Sequence, residues 1–191
     1  MPRLIEPVVS PGSFGHNPQP RLEVDERSFL RPWTLDDVSV VVEASSDPEI
    51  QRWMPYSYDA IEAEEVIGRW GDAWRNETGV CWAIAKKSDN SAFGRVAFQT
   101  IDLIGGSAEI AYWLLPHARG EGYATRATLS ISRWAFDRLG LHRLQLIHSV
   151  KNVASCGVAA KADFELEGTL KSECLYQDGW HDTHLHALVR P

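Results

Sequence analysis

The sequence predicts a single α/β domain of the α+β kind, in which about four helices flank a mixed, mostly antiparallel sheet of about seven strands. The chain has 191 residues and is 44% hydrophobic. That length suits one ordinary domain, which buries roughly 70% of the surface of its unfolded chain. Residues 80–86, 93–101 and 107–115 alternate between apolar and polar positions and are joined by short turns, so they predict an antiparallel meander.

The first part of the chain has a different composition. Residues 1–20 contain five prolines together with turn-forming glycine and asparagine, and this composition cannot sustain helical periodicity. We expect an extended or disordered arm over 1–20 and the folded domain over 21–191. Residues 22–31 favour a first strand, and Thr34 followed three residues later by Asp37 is typical of a helix start.

Two helices are predicted between this strand and the meander. Asp47 and Pro48 begin a short one. Residues 59–76 form the longer one, because their apolar side chains recur at helical spacing. A further helix is predicted over 123–139, with Gly140 as its stop.

Extended and helical segments complete the chain. We predict a strand over 143–150, a helix over 152–162 and strands over 164–176 and 180–189. The last two strands are joined by a hairpin turn at Asp178-Gly179.

Composition and charge disfavour several classes of function. The net charge of -7 lacks the basic footprint of a nucleic-acid-binding protein. Neither a long apolar stretch nor a charged-then-apolar leader is present, so we expect a cytoplasmic protein that does not bind membranes. The three cysteines are widely spaced without a CxxC pair, which argues against disulfides and against a zinc site built on thiolates.

One contiguous segment carries a chemical signal. The run 115–125 ends a strand, turns through Gly120 and Gly122, and opens a helix. The first turn of a helix offers unpaired N–H groups and partial positive charge, and glycines let the backbone approach phosphate oxygens. Arg119 adds a charge-assisted contact. The segment therefore predicts a pyrophosphate site, and its place after a meander differs from that in a Rossmann fold.

This segment also resembles a known family. Arg119, Gly122 and Ala124 match the Arg/Gln-x-x-Gly-x-Gly/Ala motif of GNAT acyltransferases, and the order of elements from 21 to 189 is similar to that fold. More narrowly, three further segments resemble the RimJ/RimL type of ribosomal-protein N-terminal acetyltransferases, a subgroup that includes small-molecule acetyltransferases. They are Leu30-Arg31-Pro32-Trp33-Thr34, Ala108-Glu109-Ile110-Ala111-Tyr112-Trp113-Leu114 and Asn152-x-x-Ser155.

The resemblance implies a co-substrate and the residues that hold it. The co-substrate is acetyl-CoA, and no metal is expected. Pantetheine and the acetyl group would contact Trp113, Leu114 and Leu115, and pyrophosphate would contact Arg119, Gly120, Glu121, Gly122, Tyr123 and Ala124. Asn152 stands where the family binds pantetheine, and the Ser155 hydroxyl would donate a hydrogen bond to the leaving thiolate. The alternative is that Asn152 is an ordinary N-cap and Ser155 an ordinary first-turn residue.

The sequence departs from the family pattern at three places. Ala159 stands where many members have a tyrosine acid, so protonation of the leaving group would fall to Ser155 or water. Asp163 replaces the glycine of Lys-x-Gly-Phe, and aspartate tolerates the left-handed conformation. Arg126 replaces a usual glutamate and is a candidate contact to the phosphates of the cofactor.

The resemblance also suggests a general base. Glu109 shares a strand face with Trp113, and in many members a carboxylate here deprotonates the amine, often through water. The alternative is an edge carboxylate in a salt bridge. An α-amine has a pKa near 7.8 and a lysine amine one near 10.4, a difference of roughly 3.5 kcal/mol, so a weak base suits an α-amine.

The expected function is transfer of an acetyl group to the N-terminal α-amine of a protein or peptide by direct attack in a ternary complex. Two alternatives stay open at this point: acetylation of a small-molecule amine, and an acyl-CoA sensor that does not catalyse transfer. The helix 59–76 and the loop 53–58 are expected to line the acceptor side. His181, His184 and His186 are expected as strand-surface or acceptor-site groups rather than metal ligands. The protein is expected to be a monomer or a homodimer.

Overall fold

The protein folds around one eight-stranded sheet with the strand order β1-β2-β3-β4-β5-β6-β8-β7. The computed structural model describes residues 4–190. It confirms the predicted fold class, with eight strands instead of about seven and five α-helices instead of about four in the described range. None of the helices within 4–190 is both long enough and apolar enough to cross a membrane.

The bounds of the elements follow the predicted order. The strands are β1 (Leu22–Glu23), β2 (Ser28–Pro32), β3 (Val80–Lys86), β4 (Ala92–Asp102), β5 (Ser107–Leu114), β6 (Arg143–Ser149), β7 (Glu165–Tyr176) and β8 (Gly179–Val189). The helices are α1 (Val38–Ser46), α2 (Pro48–Trp53), α3 (Ala60–Arg75), α4 (Tyr123–Trp134) and α5 (Val153–Lys161).

The additional strand arises because the predicted first strand is interrupted by a turn. The Asp25 carboxylate accepts hydrogen bonds from the backbone N–H of Arg27 at 2.8 Å and of Ser28 at 2.7 Å. This Asx turn reverses the chain, so β1 pairs antiparallel with β2. A short carboxylate side chain thus divides one expected strand into a hairpin.

The pairing of β5 with β6 determines where a ligand can enter. All neighbouring strands are antiparallel except β5 and β6, which are parallel and pair only from Ser107 with Arg143 to Glu109 with Gln145. Beyond Glu109 the two strands diverge. The C-terminal half of β5 therefore exposes unpaired backbone groups on one edge.

The sheet has a hydrophobic core on each face. One core contains residues of α4 and α5 packed against Ala108, Ile110 and Leu144. The other contains residues of α1, α2 and α3 packed against Trp113 and Ala97. Because side chains alternate along a strand, β5 contributes to both cores and directs Glu109 and Trp113 to the face covered by α1–α3.

The N-terminal segment packs against this domain over its described part. Residues 4–20 form turns and bends in which Val9 and Phe14 are buried. The Glu77 carboxylate accepts hydrogen bonds from the N–H groups of Phe14 at 2.6 Å and Gly15 at 2.9 Å. The first three residues of the predicted arm lie outside the described residues, and the domain boundary at residue 20 stays a prediction.

Two predicted helix ends are confirmed. Gly140 terminates the α4 segment with φ of 80° after a π-helical last turn, Ala135–Leu139. Asp163 follows α5 with φ of 61°, the left-handed conformation that glycine usually supplies. The replacement of glycine by aspartate therefore leaves the local fold intact.

Candidate active site

The turn between β5 and α4 presents backbone groups to open space. Gly120 has φ of 81° and Gly122 has φ of 75°, both in the left-handed region. Gly122 is the N-cap of α4 and provides no side-chain cap, so the first N–H groups of this helix lack intrahelical acceptors. A Cβ atom at Gly120 would meet no atom within 4 Å. The turn can therefore bind an anion against main-chain donors.

A cavity of about 440 Å³ lies in front of this turn, between α2, β5 and α5. It brings together most of the residues expected to bind the cofactor. These are Trp113, Leu114, Arg119, Gly120, Gly122, Tyr123, Ala124, Asn152 and Ser155. Leu115 instead lies in the core with 1% exposure, and the Glu121 side chain contacts Arg27 at 3.7 Å. We call this space the cofactor cavity.

The sequence predicted no part in this cavity for α2, and none for α5 beyond Asn152 and Ser155. Glu49, Ile50, Trp53 and Met54 of the α2 region line one wall, and Val153, Ala154, Gly157, Val158 and Lys161 of α5 extend another. No motif identifies these residues, because their only common property is the helix face on which they lie. The helical periodicity of apolar residues indicates which face of a helix is buried. It does not show whether that face lines a cavity or packs in a core.

Arginines surround the turn, and each has a protein partner. The Arg119 guanidinium forms an ion pair with Asp47, and Arg119 Nε donates to the Leu114 carbonyl at 3.1 Å. Arg126 Nε donates to Asp25 at 2.7 Å. Burial has the largest single effect on the pKa of Asp47 and raises it, but the hydrogen bonds from Arg119 and from backbone N–H groups, together with the charge of Arg119, outweigh burial, and the pKa is lowered. Arg119 thus forms part of the cavity wall as a member of an ion pair.

Ser155 and Asn152 are held on the first turn of α5. Asn152 Oδ1 accepts from the Ser155 N–H at 3.0 Å and so acts as the N-cap of the helix. Its amide NH₂ group is separate from this bond and is the part of the side chain that can donate to a ligand. The N-cap interpretation of Asn152 is therefore compatible with a role in binding.

Tyr112 is a polar residue of this cavity to which the sequence analysis gave no role. Its hydroxyl is buried and has no hydrogen-bond partner among residues 4–190. Ser155 lies beside it. Burial raises the pKa of Tyr112 to about 12. Tyr112 is therefore a protonated hydroxyl at neutral pH.

A second cavity, of about 210 Å³, lies on the face covered by α1–α3. Ile50, Met54 and Trp113 line both cavities, so the two spaces share a wall. The remaining lining residues are Val41, Ala44, Ser45, Tyr56, Tyr58, Val66, Arg69, Trp70, Arg95 and Gln99. We call this space the acceptor cavity. Residues of the loop 53–58 and of the predicted helix 59–76 contribute to it.

The acceptor cavity has cationic side chains and no carboxylate in its lining. Arg95 is 7% exposed, and its guanidinium lies 5.2 Å from the centre of the Trp70 ring. Its Nε donates to Cys81 Sγ at 3.0 Å. None of the salt bridges within residues 4–190 includes Arg95. The cavity therefore favours an anionic or carbonyl group.

Glu109 lies at the point where β5 and β6 separate. Gln99, which bulges out of β4 and lines the acceptor cavity, donates from Nε2 to Glu109 Oε1 at 2.6 Å. Burial and the charge of Glu173 raise the pKa of Glu109 and outweigh this hydrogen bond. The salt-bridge alternative is wrong for the described chain, because Glu109 has no cationic partner within 4–190.

The expectation for the C-terminal histidines is wrong in its placement. His181 and His186 are each 3% exposed rather than on the strand surface. Neither they nor His184 line the acceptor cavity. His184 and His186 instead lie close to His148 of β6 and Cys156 of α5.

Residues 27–165 match the family described as acetyltransferase (GNAT) domain. The chain belongs to the GNAT family. It is 27% identical over 177 residues to the uncharacterized N-acetyltransferase YoaA of Bacillus subtilis, covering 90% of this chain and 98% of that protein. It is 31% identical over 165 residues to the putative ribosomal N-acetyltransferase YdaF of the same organism, covering 83% and 88%.

Two further similarities involve proteins with different acceptors. The chain is 24% identical over 180 residues to the spermidine N(1)-acetyltransferase of Escherichia coli, covering 85% and 94%. The structure of RimL, a ribosomal L7/L12 alpha-N-protein acetyltransferase in complex with coenzyme A, superposes with a TM-score of 0.82 at 21% identity, covering 89% and 98%. The latter similarity supports the fold.

Membership in the family establishes the class of reaction. The protein is an N-acetyltransferase, and acetyl-CoA is its co-substrate. This finding favours catalysis over the sensor alternative.

Proposed function

We propose that this GNAT enzyme transfers the acetyl group of acetyl-CoA to the N-terminal α-amine of a protein or peptide by direct attack in a ternary complex. The observation that carries the proposal is the pair of cavities that share Trp113. One has main-chain anion donors, and the other is bordered by the Gln99–Glu109 pair. The thioester and the amine would meet at the shared wall.

The cofactor cavity supports a specific orientation of acetyl-CoA. The pyrophosphate would bind the N–H groups at Gly120–Ala124, where Gly120 and Gly122 are both left-handed and open space lies beside Gly120. Pantetheine would extend along the unpaired edge of β5, past Leu114 and toward the Asn152 amide. The Asp47 carboxylate holds Arg119 at the cavity wall, so phosphate binding there would require Arg119 to share or exchange that partner.

Glu109 has the properties of a base for this reaction. Its pKa is raised by burial, so it accepts a proton more readily than an exposed glutamate does. Glu109 does not itself line the acceptor cavity, whereas its partner Gln99 does. A water molecule bound at Gln99 would therefore relay the proton from the amine. An α-amine with a pKa near 7.8 needs only this modest assistance.

The other side of the shared wall supplies donors for the leaving group. As the amine nitrogen bonds to the carbonyl carbon and the carbon–sulfur bond breaks, negative charge moves to sulfur. The Ser155 hydroxyl would donate a hydrogen bond to it, with the protonated Tyr112 hydroxyl adjacent. The thiolate then takes a proton from solvent or through these hydroxyls.

The charge of the acceptor cavity distinguishes the classes of amine. The buried Arg95 would repel a polyamine, whereas it favours the carbonyl groups that follow the α-amine of a peptide. The ribosomal relative YdaF supports the peptide acceptor. The spermidine acetyltransferase relative supports the second candidate function, acetylation of a small-molecule amine.

Thiol release from acetyl-CoA tests the proposal. The acceptors are peptides with free N-termini, the same peptides with blocked N-termini, spermidine and an aminoglycoside. We expect turnover only with free N-termini, reduced in Glu109→Gln and Ser155→Ala. Turnover that is confined to spermidine or to the aminoglycoside would replace the peptide acceptor by the second candidate.

A further inference from the structure

A cluster of four ligand-type side chains lies outside both cavities. It consists of His148 on β6, His184 and His186 on β8, and Cys156 on α5. Each contributes one nitrogen or sulfur atom, and all four atoms lie within 4.8 Å of one another. Cross-strand pairing places His148 directly opposite His184, and His186 follows two residues later on the same strand face.

The hydrogen bonds of the cluster fix which ring nitrogens are available. His148 Nδ1 lies 2.8 Å from the Ser149 carbonyl, and His186 Nδ1 lies 3.4 Å from the Phe164 carbonyl. Because a carbonyl oxygen can only accept, Nδ1 carries the proton in both rings. Nε2 of each neutral ring therefore has a free lone pair. A carbonyl partner on the opposite nitrogen is the usual outer contact of a metal-binding histidine.

These lone pairs have no partner in the protein. His148 and His186 are 5% and 3% exposed, and their Nε2 atoms are buried without a hydrogen bond to any residue of 4–190. The same is true of His184 Nδ1. Buried polar atoms are rarely left unsatisfied, so three such atoms in one cluster indicate a ligand.

We propose that His148, Cys156, His184 and His186 form a tetrahedral site for a divalent transition metal of the zinc class. Three imidazole nitrogens and one thiolate match the ligands of zinc, and the cluster lacks the oxygen ligands that calcium or magnesium requires. In a tetrahedral zinc site neighbouring ligand atoms lie about 3.3–3.6 Å apart. Small side-chain rotations would therefore close the cluster around an ion.

The proposed metal site has a structural role rather than a catalytic one. Four protein ligands leave no open coordination position for substrate. The ion would join α5 to β6 and β8. Cys156 follows Ser155, so it would also fix the helix that presents Asn152 and Ser155 to the cofactor cavity. This inference stands independently of the identity of the acceptor.

Cobalt binding tests the site directly. The protein is prepared without a histidine tag, freed of metal with a chelator, and titrated with Co²⁺. We expect one equivalent to produce the visible bands of tetrahedral cobalt together with a near-ultraviolet thiolate-to-cobalt charge-transfer band. One equivalent of Zn²⁺ should abolish both. Absence of the tetrahedral spectrum would overturn the proposal.

Two cysteine variants separate this site from adventitious binding. Cys156→Ser should remove the charge-transfer band and weaken Zn²⁺ binding at least about a hundredfold, because loss of a ligand exceeds the 10–100-fold effect of losing an outer partner. Cys174→Ser, a matched free cysteine outside the cluster, should change neither. Circular dichroism of the metal-free proteins confirms that each variant is folded. Equal Zn²⁺ affinity in a folded Cys156→Ser variant and the parent protein would also overturn the proposal.

Discussion

The two cavities that share Trp113 are built in different ways. The cofactor cavity, of about 440 Å³, centres on a contiguous turn whose donors are backbone N–H groups at a helix start. The acceptor cavity, of about 210 Å³, is assembled by side chains of α1, α2, α3 and β4, including Arg69, Arg95 and Gln99. Backbone N–H groups suit the diphosphate of the cofactor, which is the same in every reaction cycle. Side chains that line the other cavity can be replaced by mutation without altering the fold. The cofactor cavity therefore depends on the backbone of the fold, whereas the acceptor cavity depends on the particular side chains of this chain.

Replacement of Glu109 should have the largest effect on kcat, and it should leave the binding of acetyl-CoA in the cofactor cavity unchanged. We expect Glu109→Gln to lower kcat for a peptide about a hundredfold or more, because general base catalysis contributes roughly 10²–10⁴. Acetyl-CoA affinity, measured by calorimetry, should stay unchanged. Steady-state thiol release provides kcat. A Glu109→Gln enzyme with parental kcat would remove Glu109 from the mechanism.

A matched pair of glycine variants tests the main-chain half. Gly120 and Gly140 have φ of 81° and 80°, and a Cβ atom at either would meet nothing within 4 Å. Only Gly120 lines the cofactor cavity. Left-handed strain costs about 1–3 kcal/mol, so we expect Gly120→Ala to weaken acetyl-CoA binding about tenfold to a hundredfold. Gly140→Ala should lower thermal stability but not affinity, and equal affinity losses in both would refute the assignment of the turn.

Replacement of Arg95 in the acceptor cavity should have a smaller effect, which falls on KM for a peptide. Arg95→Met should raise KM for a peptide about tenfold, since a hydrogen bond from a charged group contributes about 1.5–3 kcal/mol. Arg69→Met is the control, because Arg69 is more exposed and pairs with Glu65 at 3.6 Å. Its effect should stay within about twofold. An improved KM for spermidine in Arg95→Met would sharpen the comparison, whereas an unchanged peptide KM would contradict it.

The pH dependence of kcat/KM tests the environment of Glu109. The change expected here is the smallest of the four. Glu109 must be ionised to accept a proton, so kcat/KM should fall as pH falls through its pKa, which is raised above 4.5. The negative charge of Glu173 contributes to that rise. Glu173→Gln should therefore move the acid limb to lower pH while kcat at its plateau stays constant. A limb that stays in place would show that Glu173 does not act on the base.

Local signals account for what the sequence could predict. In the run 115–125 the end of a strand, two glycines and the start of a helix follow one another, so the conformation of this segment follows from adjacent residues. The divided first strand depended on one Asx turn at Asp25, whose effect on pairing is not visible in periodicity. The Gln99 bulge likewise arises from pairing between β4 and β5.

The four-ligand cluster shows more clearly what could not be predicted from the sequence. His184 and His186 share a strand face that the sequence reveals, but the other two ligands come from β6 and α5. Their approach to the two histidines depends on the antiparallel β6–β8 pairing and on how α5 packs, which no short pattern encodes. Spacing along the chain therefore argued against a metal site where the tertiary structure supports one.

The most direct test of the proposed α-amine acceptor uses a peptide that carries both a free α-amine and a lysine side chain. The peptide is incubated with acetyl-CoA and enzyme at pH 7 to low conversion, and tandem mass spectrometry locates the added acetyl group. We expect acetylation of the α-nitrogen, at a rate that falls about a hundredfold or more in Glu109→Gln. Acetylation of the lysine side chain instead would contradict the proposed acceptor.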